Sequence, residues 1–377
     1  MNRREFAAVL GGAAAGSALG PLVQAASGDP AQVSAQAQAL YRRALVLDCN
    51  SSPPMGEGQT DLDRVRDSGI NVIKLSLGGI NSDFTHTVAD IGQIQQLIEV
   101  HPDYYTQVRI AADLERAKQQ GKLGIILSFE SVDMLQGQLS SLELFRDLGV
   151  RVMQLSYNRR SQFAAGVMEP AAGGLTPLGR EAVREMNRLG VAVDLSHANA
   201  ATTADALALS SEPVLMTHAG CAAIHAHPRN KTDEQLRALA AKGGVVGIFD
   251  LPYLTASPRR PTLDDYLAHL EHALKVAGEE HVGIGSDVGI DPFDTSPRGM
   301  AEFAGELQQR RTAGLSAPEE DRPTYVIGLN VPRRIEIIAD RLLKRGYSAS
   351  VTEKVIGGNF VRVLAAIWAP HTPGSRA

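Results

Sequence analysis

Eight short runs of almost continuous apolar residues constrain this chain more than any other feature. They read ALVLDCN (44–50), NVIKLSL (71–77), GIILSFE (124–130), VRVMQLSY (150–157), VAVDLSH (191–197), PVLMTH (213–218), GVVGIFD (244–250) and HVGIGSD (281–287). A strand with one wet face alternates apolar and polar side chains. A strand that is apolar throughout is buried on both faces, as in parallel sheets covered by helices. Most of the intervening segments carry helix punctuation. Thr176-Pro177 opens LGREAVREMNRLG, where Val183, Met186 and Leu189 recur at helical spacing until Gly190. Thr232 and Thr262 open two further amphipathic segments that run to a glycine. The alternation predicts an α/β protein built as a closed (β/α)8 TIM-type barrel, with an open doubly wound sheet as the lesser alternative.

Catalytic side chains in such a barrel stand at the C-terminal ends of strands. Glu130, His197, His218 and Asp287 each close one of the runs. Glu and His hold zinc in open catalytic sites, and a nearby Asp can move a proton. Glu130, His197 and His218 supply two nitrogens and a carboxylate oxygen, a set that holds one ion and leaves its fourth position to water. A single histidine at a strand end is more often structural, so the reading rests on the three together. The same rule draws in Asp48 and Asn50 after the first strand, Tyr157 after the fourth and Asp250 after the seventh. Tyr157 either donates a hydrogen bond to a developing oxyanion or is an amphipathic rim residue. Adjacent strand residues point to opposite faces, which argues against Cys49 as a ligand beside Asn50. His225 and His227 lie in a loop, where rim or structural roles are expected.

With 377 residues, 44% of them hydrophobic, the chain can bury a large core. A formal net charge of −5 supplies no basic footprint for nucleic acid. Cys49 and Cys221 are too few for a disulfide scaffold and read as small buried residues. At the N-terminus, Asn2-Arg3-Arg4-Glu5-Phe6 precedes a Gly/Ala-rich apolar stretch that runs to Leu22, followed by the small-residue site Val23-Gln24-Ala25. Residues 1–26 therefore read as a secretory signal of the twin-arginine type, with a periplasmic or secreted destination. An uncleaved amphipathic anchor is the alternative. No later stretch is long and apolar enough to span a bilayer, so the mature form is expected to have no transmembrane span. Residues 27–370 are expected to form one barrel domain, with two helical segments between about Pro323 and Trp368, and residues 371–377 a disordered tail. The loop VGIDPFDTSPRG after Asp287 is expected to shape a pocket rim. A homodimer is compatible with this reading.

Six stretches, FESVDML (129–135), GLTPLGREAVREMNRLGVAVDLSH (174–197), PVLMTHAG (213–220), HPRNKTDEQL (227–236), HVGIGSD (281–287) and GGNFVRVL (357–364), resemble the membrane (renal) dipeptidase family of zinc peptidases. The resemblance implies a two-metal site with Glu130 bridging and His197 and His218 holding one ion. It also implies that Asp287 handles the proton and that Arg229 pairs with the substrate's terminal carboxylate, a task suited to a planar guanidinium. The chain departs from the family at the end of the first strand, where Asn50 and Ser52 stand in place of a His-x-Asp metal pair. Tyr157 also stands where the family usually has another His. The expectation is an exported hydrolase holding zinc, one ion rather than two, that cleaves the amide of a dipeptide or similar small amide. Asn50 is then left to face substrate. The alternatives are a related barrel hydrolase acting on a non-dipeptide periplasmic metabolite, and a catalytically inactive binding protein.

Overall fold

All eight apolar runs contain strands, and the strands follow one another in chain order around a single parallel sheet. They are β1 (Leu47–Asp48), β2 (Val72–Leu77), β3 (Leu123–Phe129), β4 (Val150–Gln154), β5 (Ala192–Asp194), β6 (Leu215–Cys221), β7 (Val245–Ile248) and β8 (Val282–Ile284). The structure, a computed structural model, describes residues 33–369 other than 55, 57 and 79–82. The expected signal segment and C-terminal tail lie outside the described residues. The β2–β3 ladder runs from Val72↔Gly124 to Leu77↔Phe129, whereas β5 and β6 pair only at Asp194↔Leu215. The sheet's two edges meet where the Cys49 N–H donates to the Ile284 carbonyl at 2.9 Å. The result is an eight-stranded, nearly closed parallel barrel with helices outside it. Two short strands had no apolar run to reveal them: Tyr105–Gln107 pairs with β3, and Asn230–Lys231 pairs with the end of β6.

The helices begin where the sequence punctuation places them. Helix Pro177–Leu189 is capped by the Thr176 side chain and stopped by Gly190 in the left-handed region. Thr232 caps Asp233–Ala241 and Thr262 caps Leu263–Ala277, both as capping boxes. None of the described helices is long and apolar enough to cross a membrane. Cys49 and Cys221 are buried and free, in separate apolar clusters.

The barrel is stratified, and that stratification positions the site. Near the N-terminal strand ends, Leu47, Val72, Ile126, Val152, Ala192, Leu215 and Val245 form an apolar layer against Phe360 and Val363 of helix Asn359–Ile367. Side chains repeat every second residue along a strand. Two residues on from this layer come Lys74, Ser128, Gln154, Asp194 and Thr217, all buried. Beyond them, at the mouth, stand Ser76 and Glu130. Gly247 and Gly285 lie so close to β6 that a Cβ on either would overlap the Thr217 carbonyl. These two glycines let β7 and β8 approach the strand that carries His218.

One expectation is corrected. The stretch between Pro323 and Trp368 holds three α-helical pieces rather than two: Arg334–Lys344, Ala349–Glu353 and Asn359–Ile367. Lys354–Gly358 forms a π-turn at which Gly357 abuts the Leu45 carbonyl, closer than any side chain would permit. The end of the loop after Asp287 is also helical, from Pro297, while Val288, Gly289, Pro292 and Phe293 line the cavity at the mouth, as the rim expectation requires. Ser296 caps Pro297–Thr312, with Pro297 in the first turn, where a missing N–H has no intrahelical partner to lose.

Candidate metal centre

The histidine ring nitrogens define the centre. His197 and His218, 1% and 0% exposed, bring their Nε2 atoms to 3.0 Å of each other. Each ring's other nitrogen fixes its tautomer. The Asn158 amide donates from Nδ2 to the Leu315 carbonyl at 2.8 Å, so its Oδ1 faces His197 and accepts the Nδ1 proton at 2.8 Å. The Thr217 hydroxyl donates its only proton to Asp194 Oδ2 at 2.5 Å, which leaves it an acceptor for the His218 Nδ1–H at 2.9 Å. Both Nε2 atoms therefore present lone pairs. Burial, together with the Arg229 cation, holds both histidines well below the usual pKa and keeps them neutral. Two unprotonated nitrogens at this distance repel unless something positive lies between or beside them.

The Glu130 carboxylate completes the set. Its Oε1 lies 3.7 Å from His218 Nε2, and one ligand atom each from Glu130, His197 and His218 lies within 4.8 Å of the other two. Ligand atoms around a tetrahedral zinc stand about 3.4 Å apart, given bonds near 2.1 Å. The observed spacings bracket that value. The donor set and its tautomers fit a zinc-like cation. The orienting partners Asn158 and Thr217–Asp194 are of the kind that metal-bound imidazoles require.

Asp287, Asn50 and Tyr157 surround this cluster. Asp287 Oδ2 lies 4.0 Å from His218 Nε2. Burial and the neighbouring Glu130 carboxylate push the Asp287 carboxyl up to about 7. Its backbone is left-handed, with φ of +60°, a region that Asp and Asn tolerate better than most residues. Its N–H is fixed by the Asn50 carbonyl at 2.7 Å. The Asn50 side-chain amide donates to Asp287 Oδ1 at 2.6 Å and to Glu130 Oε1 at 3.0 Å. Tyr157 stacks on His197, with ring centroids 4.0 Å apart. Its hydroxyl accepts from Arg310 Nη2 at 3.4 Å, so its own proton is available to the pocket. Burial raises the phenol to about 12, which keeps that proton on.

Arg229 is 2% exposed and forms no ion pair among the described residues. One Nη donates to the His218 carbonyl at 3.3 Å, and its buried Nε has no partner. A buried guanidinium with spare donors at a pocket wall can receive an anion. A cavity of about 580 Å³ is lined by Asn50, Glu130, Tyr157, Arg229 and Asp287, with helix Pro297–Thr312 contributing Phe303, Glu306 and Arg310. That volume lies in the range of small-molecule sites.

The other sequence candidates have supporting positions. Asp48 accepts from the Ser286 N–H at 2.8 Å and pairs with buried Arg334, so it orients the first loop. Asp250 is buried 3.8 Å from Arg334, outside the cluster, and burial holds its carboxyl at about 8. His225 pairs with Glu319, and His227 stacks on Tyr253 and reaches the Pro318 carbonyl, so both hold loops. Asn158, Thr217, Asp194 and Lys74 escaped the sequence reading. For Lys74 a signal was present: a cation in the middle of a buried strand.

A model of the membrane dipeptidase family (Peptidase family M19) matches residues 24–310. The chain belongs to that family. Dipeptidase tcpJ of Claviceps purpurea is 31% identical over 284 residues, 74% of this chain and 60% of that protein. The uncharacterized protein in the pqqA 5' region of Klebsiella pneumoniae is 31% identical over 268 residues, 68% of this chain and 87% of its own length. The chain thus spans less than two thirds of tcpJ and of the similar Dipeptidase verJ of Clonostachys rogersoniana, which it covers to 65%. Among solved structures, an amidohydrolase from Pseudomonas aeruginosa superposes with a TM-score of 0.79 at 29% identity, over 89% of this chain and 99% of that one. The probable dipeptidase PvdM of the same organism shares the fold at a TM-score of 0.74 and 20% identity, over 88% and 98%. As a member of the membrane dipeptidase family, the chain carries its candidate metal ligands at the C-terminal mouth of the barrel, Glu130 and His197 just past their strands and His218 within β6.

Proposed function

We propose that this protein is an exported, one-zinc hydrolase that cleaves the amide of a dipeptide or a similar small amide. The observation that carries the proposal is the pair of facing Nε2 lone pairs beside Glu130, an arrangement that a bound cation stabilises. Family membership supports the reaction class. A metallo peptidase from Rhodobacter sphaeroides was solved with a phosphinate mimic of the dipeptide L-Ala-D-Ala.

Glu130, His197 and His218 would hold the ion, which when bound would supply Lewis acidity toward an amide carbonyl and a water molecule. The protein's own groups do the rest. Arg229 binds the substrate carboxylate through its spare guanidinium donors. Asp287, whose Oδ2 lies 4.0 Å from His218 Nε2, takes the proton of the attacking water and returns it to the leaving amine. Tyr157 donates its hydroxyl proton to the oxygen that gains charge as the carbonyl carbon becomes tetrahedral. Asn50 holds Glu130 and Asp287 in register and faces the substrate.

The test is metal analysis of the purified mature protein, followed by turnover on a dipeptide panel. His197→Ala is expected to lose the metal. Asp287→Asn, which tolerates the same backbone, is expected to keep the metal and lose turnover. Bound zinc without turnover on any dipeptide refutes the substrate assignment and leaves the metal centre standing. For export, Arg3→Lys with Arg4→Lys should retain the protein in the cytoplasm on cell fractionation, and unchanged release would refute the twin-arginine route.

A further inference from the structure

Beneath Asn50 lies a charge that the proposed reaction does not use. Lys74 is fully buried in the barrel, and its Nζ donates to Ser76 Oγ at 3.0 Å and Ser128 Oγ at 3.2 Å. Among the described residues no carboxylate forms an ion pair with it. A buried ammonium held only by hydroxyls is costly, because it gives up hydration without a direct counterion. One hydroxyl links it to the charged groups of the centre. Ser76 Oγ lies 3.1 Å from Glu130 Oε1 and 3.2 Å from Asn50 Oδ1. On the far side of Asn50, the amide nitrogen bridges Glu130 and Asp287. Lys74, Ser76 and Asn50 thus form a continuous donor column that ends on both acidic groups of the centre.

We infer that Lys74 and Asn50 together replace a second metal ion, with the ammonium supplying its charge and the amide supplying its contacts to the two carboxylates. The inference rests on the one-zinc reading and names the positioning residue that makes it work. A second divalent cation would have to displace the Asn50 amide from between Glu130 and Asp287. It would then sit near a fixed positive charge in a medium that screens poorly. The column also explains why two carboxylates can face each other here with only one ion nearby. The amide gives each a donor, and the ammonium offsets their combined charge from below.

The experiment is zinc stoichiometry and affinity, read by metal analysis and chelator competition, on full-length mature protein and three variants. Asn50→Asp offers a third carboxylate of the same shape, and Lys74→Met removes the charge at similar length. Wild type, Asn50→Asp and Lys74→Met are each expected to bind one zinc. The double variant is expected to bind two, with the second ion held on the order of 100-fold or more tighter than in Asn50→Asp alone. Circular dichroism checks the fold of each, and Lys74→Gln replaces Lys74→Met if the apolar variant does not fold. Two tightly held zinc ions in the wild type would overturn the inference and leave the hydrolase reading intact. A double variant that still binds one ion would also overturn it. Zero zinc in the wild type would instead refute the metal centre itself.

Discussion

Thr217→Val tests whether the orientation of His218 is imposed from behind. The substitution keeps the branched shape of a fully buried residue and removes only its hydroxyl. Asp194 loses the 2.5 Å donor on Oδ2 but keeps three on Oδ1, from Ser196 Oγ at 2.6 Å, Ser196 N at 3.0 Å and Thr217 N at 3.1 Å. His218 loses its only Nδ1 acceptor. A buried N–H without a partner costs about 1–3 kcal/mol. The imidazole escapes that cost in the metal-free protein by moving its proton to Nε2, the nitrogen that faces the metal. Binding zinc then reverses the move and restores the orphaned N–H. Loss of such an orienting partner lowers metal affinity by about 10- to 100-fold, or roughly 1.4–2.7 kcal/mol. Chelator competition measures the affinity. Long-range proton–nitrogen NMR of the metal-free protein reads the tautomer: both histidines as Nδ1–H in wild type, His218 alone switched in the variant. Zinc affinity within about twofold of wild type, or an unswitched His218, would refute the reasoning.

Removing the carboxylate clamp with Arg229→Met should raise KM with little change in kcat. The loss of charge-assisted hydrogen bonds, about 1.5–3 kcal/mol, corresponds to roughly 10- to 150-fold in kcat/KM, and an unchanged KM would exclude Arg229 from substrate binding. Tyr157→Phe keeps the stack on His197 and should lower kcat by about 100-fold at constant zinc content, whereas full activity would make Tyr157 a rim residue. The metal-free protein should lose stability as pH falls from 6.5 toward 4. His197, His218, His227 and His269 are buried with lowered pKa values, the last two at about 4, so the unfolded chain takes up four protons that the fold refuses. Asp287 and Asp250, raised to about 7 and about 8, are already protonated in the fold and ionised in the unfolded chain, which offsets two of them. Among these six groups two protons remain near pH 5, a contribution of about 2.7 kcal/mol per pH unit there. Thermal melts across that range check it, and a flat Tm would refute the burial argument.

The barrel was legible because parallel strands buried on both faces leave a mark that survives in one sequence. Leu123–Phe129 has no exposed position, and its run was found for that reason. Helix starts were legible where a threonine cap preceded an amphipathic segment, as at Thr176, Thr232 and Thr262. The elements that went unread lack such local marks. Tyr105–Gln107 is a three-residue strand made by pairing with β3, and its residues show neither alternation nor an apolar run. The π-turn at Lys354–Gly358 follows from the close approach of Gly357 to Leu45, more than 300 residues away in sequence, which no window on the chain can see.

The same division runs through the site. The three candidate ligands could be read because barrel geometry sends functional side chains to the C-terminal mouth, and Glu130, His197 and His218 close their apolar runs with ligand chemistry, although β6 continues past His218 to Cys221. What makes those nitrogens competent could not be read, because a tautomer is decided by a partner on another element. Asn158 fixes His197 only because helix Pro297–Thr312 ends near the Leu315 carbonyl that orients the amide. Lys74 lies between these cases. A lysine amid NVIKLSL contradicts a strand buried on both faces, and that contradiction alone predicts a buried cation near the barrel axis. Its purpose becomes visible only once Ser76, Asn50 and the two carboxylates are seen above it. A lysine that breaks an otherwise apolar strand is therefore evidence about the charge balance of the mouth, because its burial is costly unless groups of opposite charge beyond its direct partners offset it.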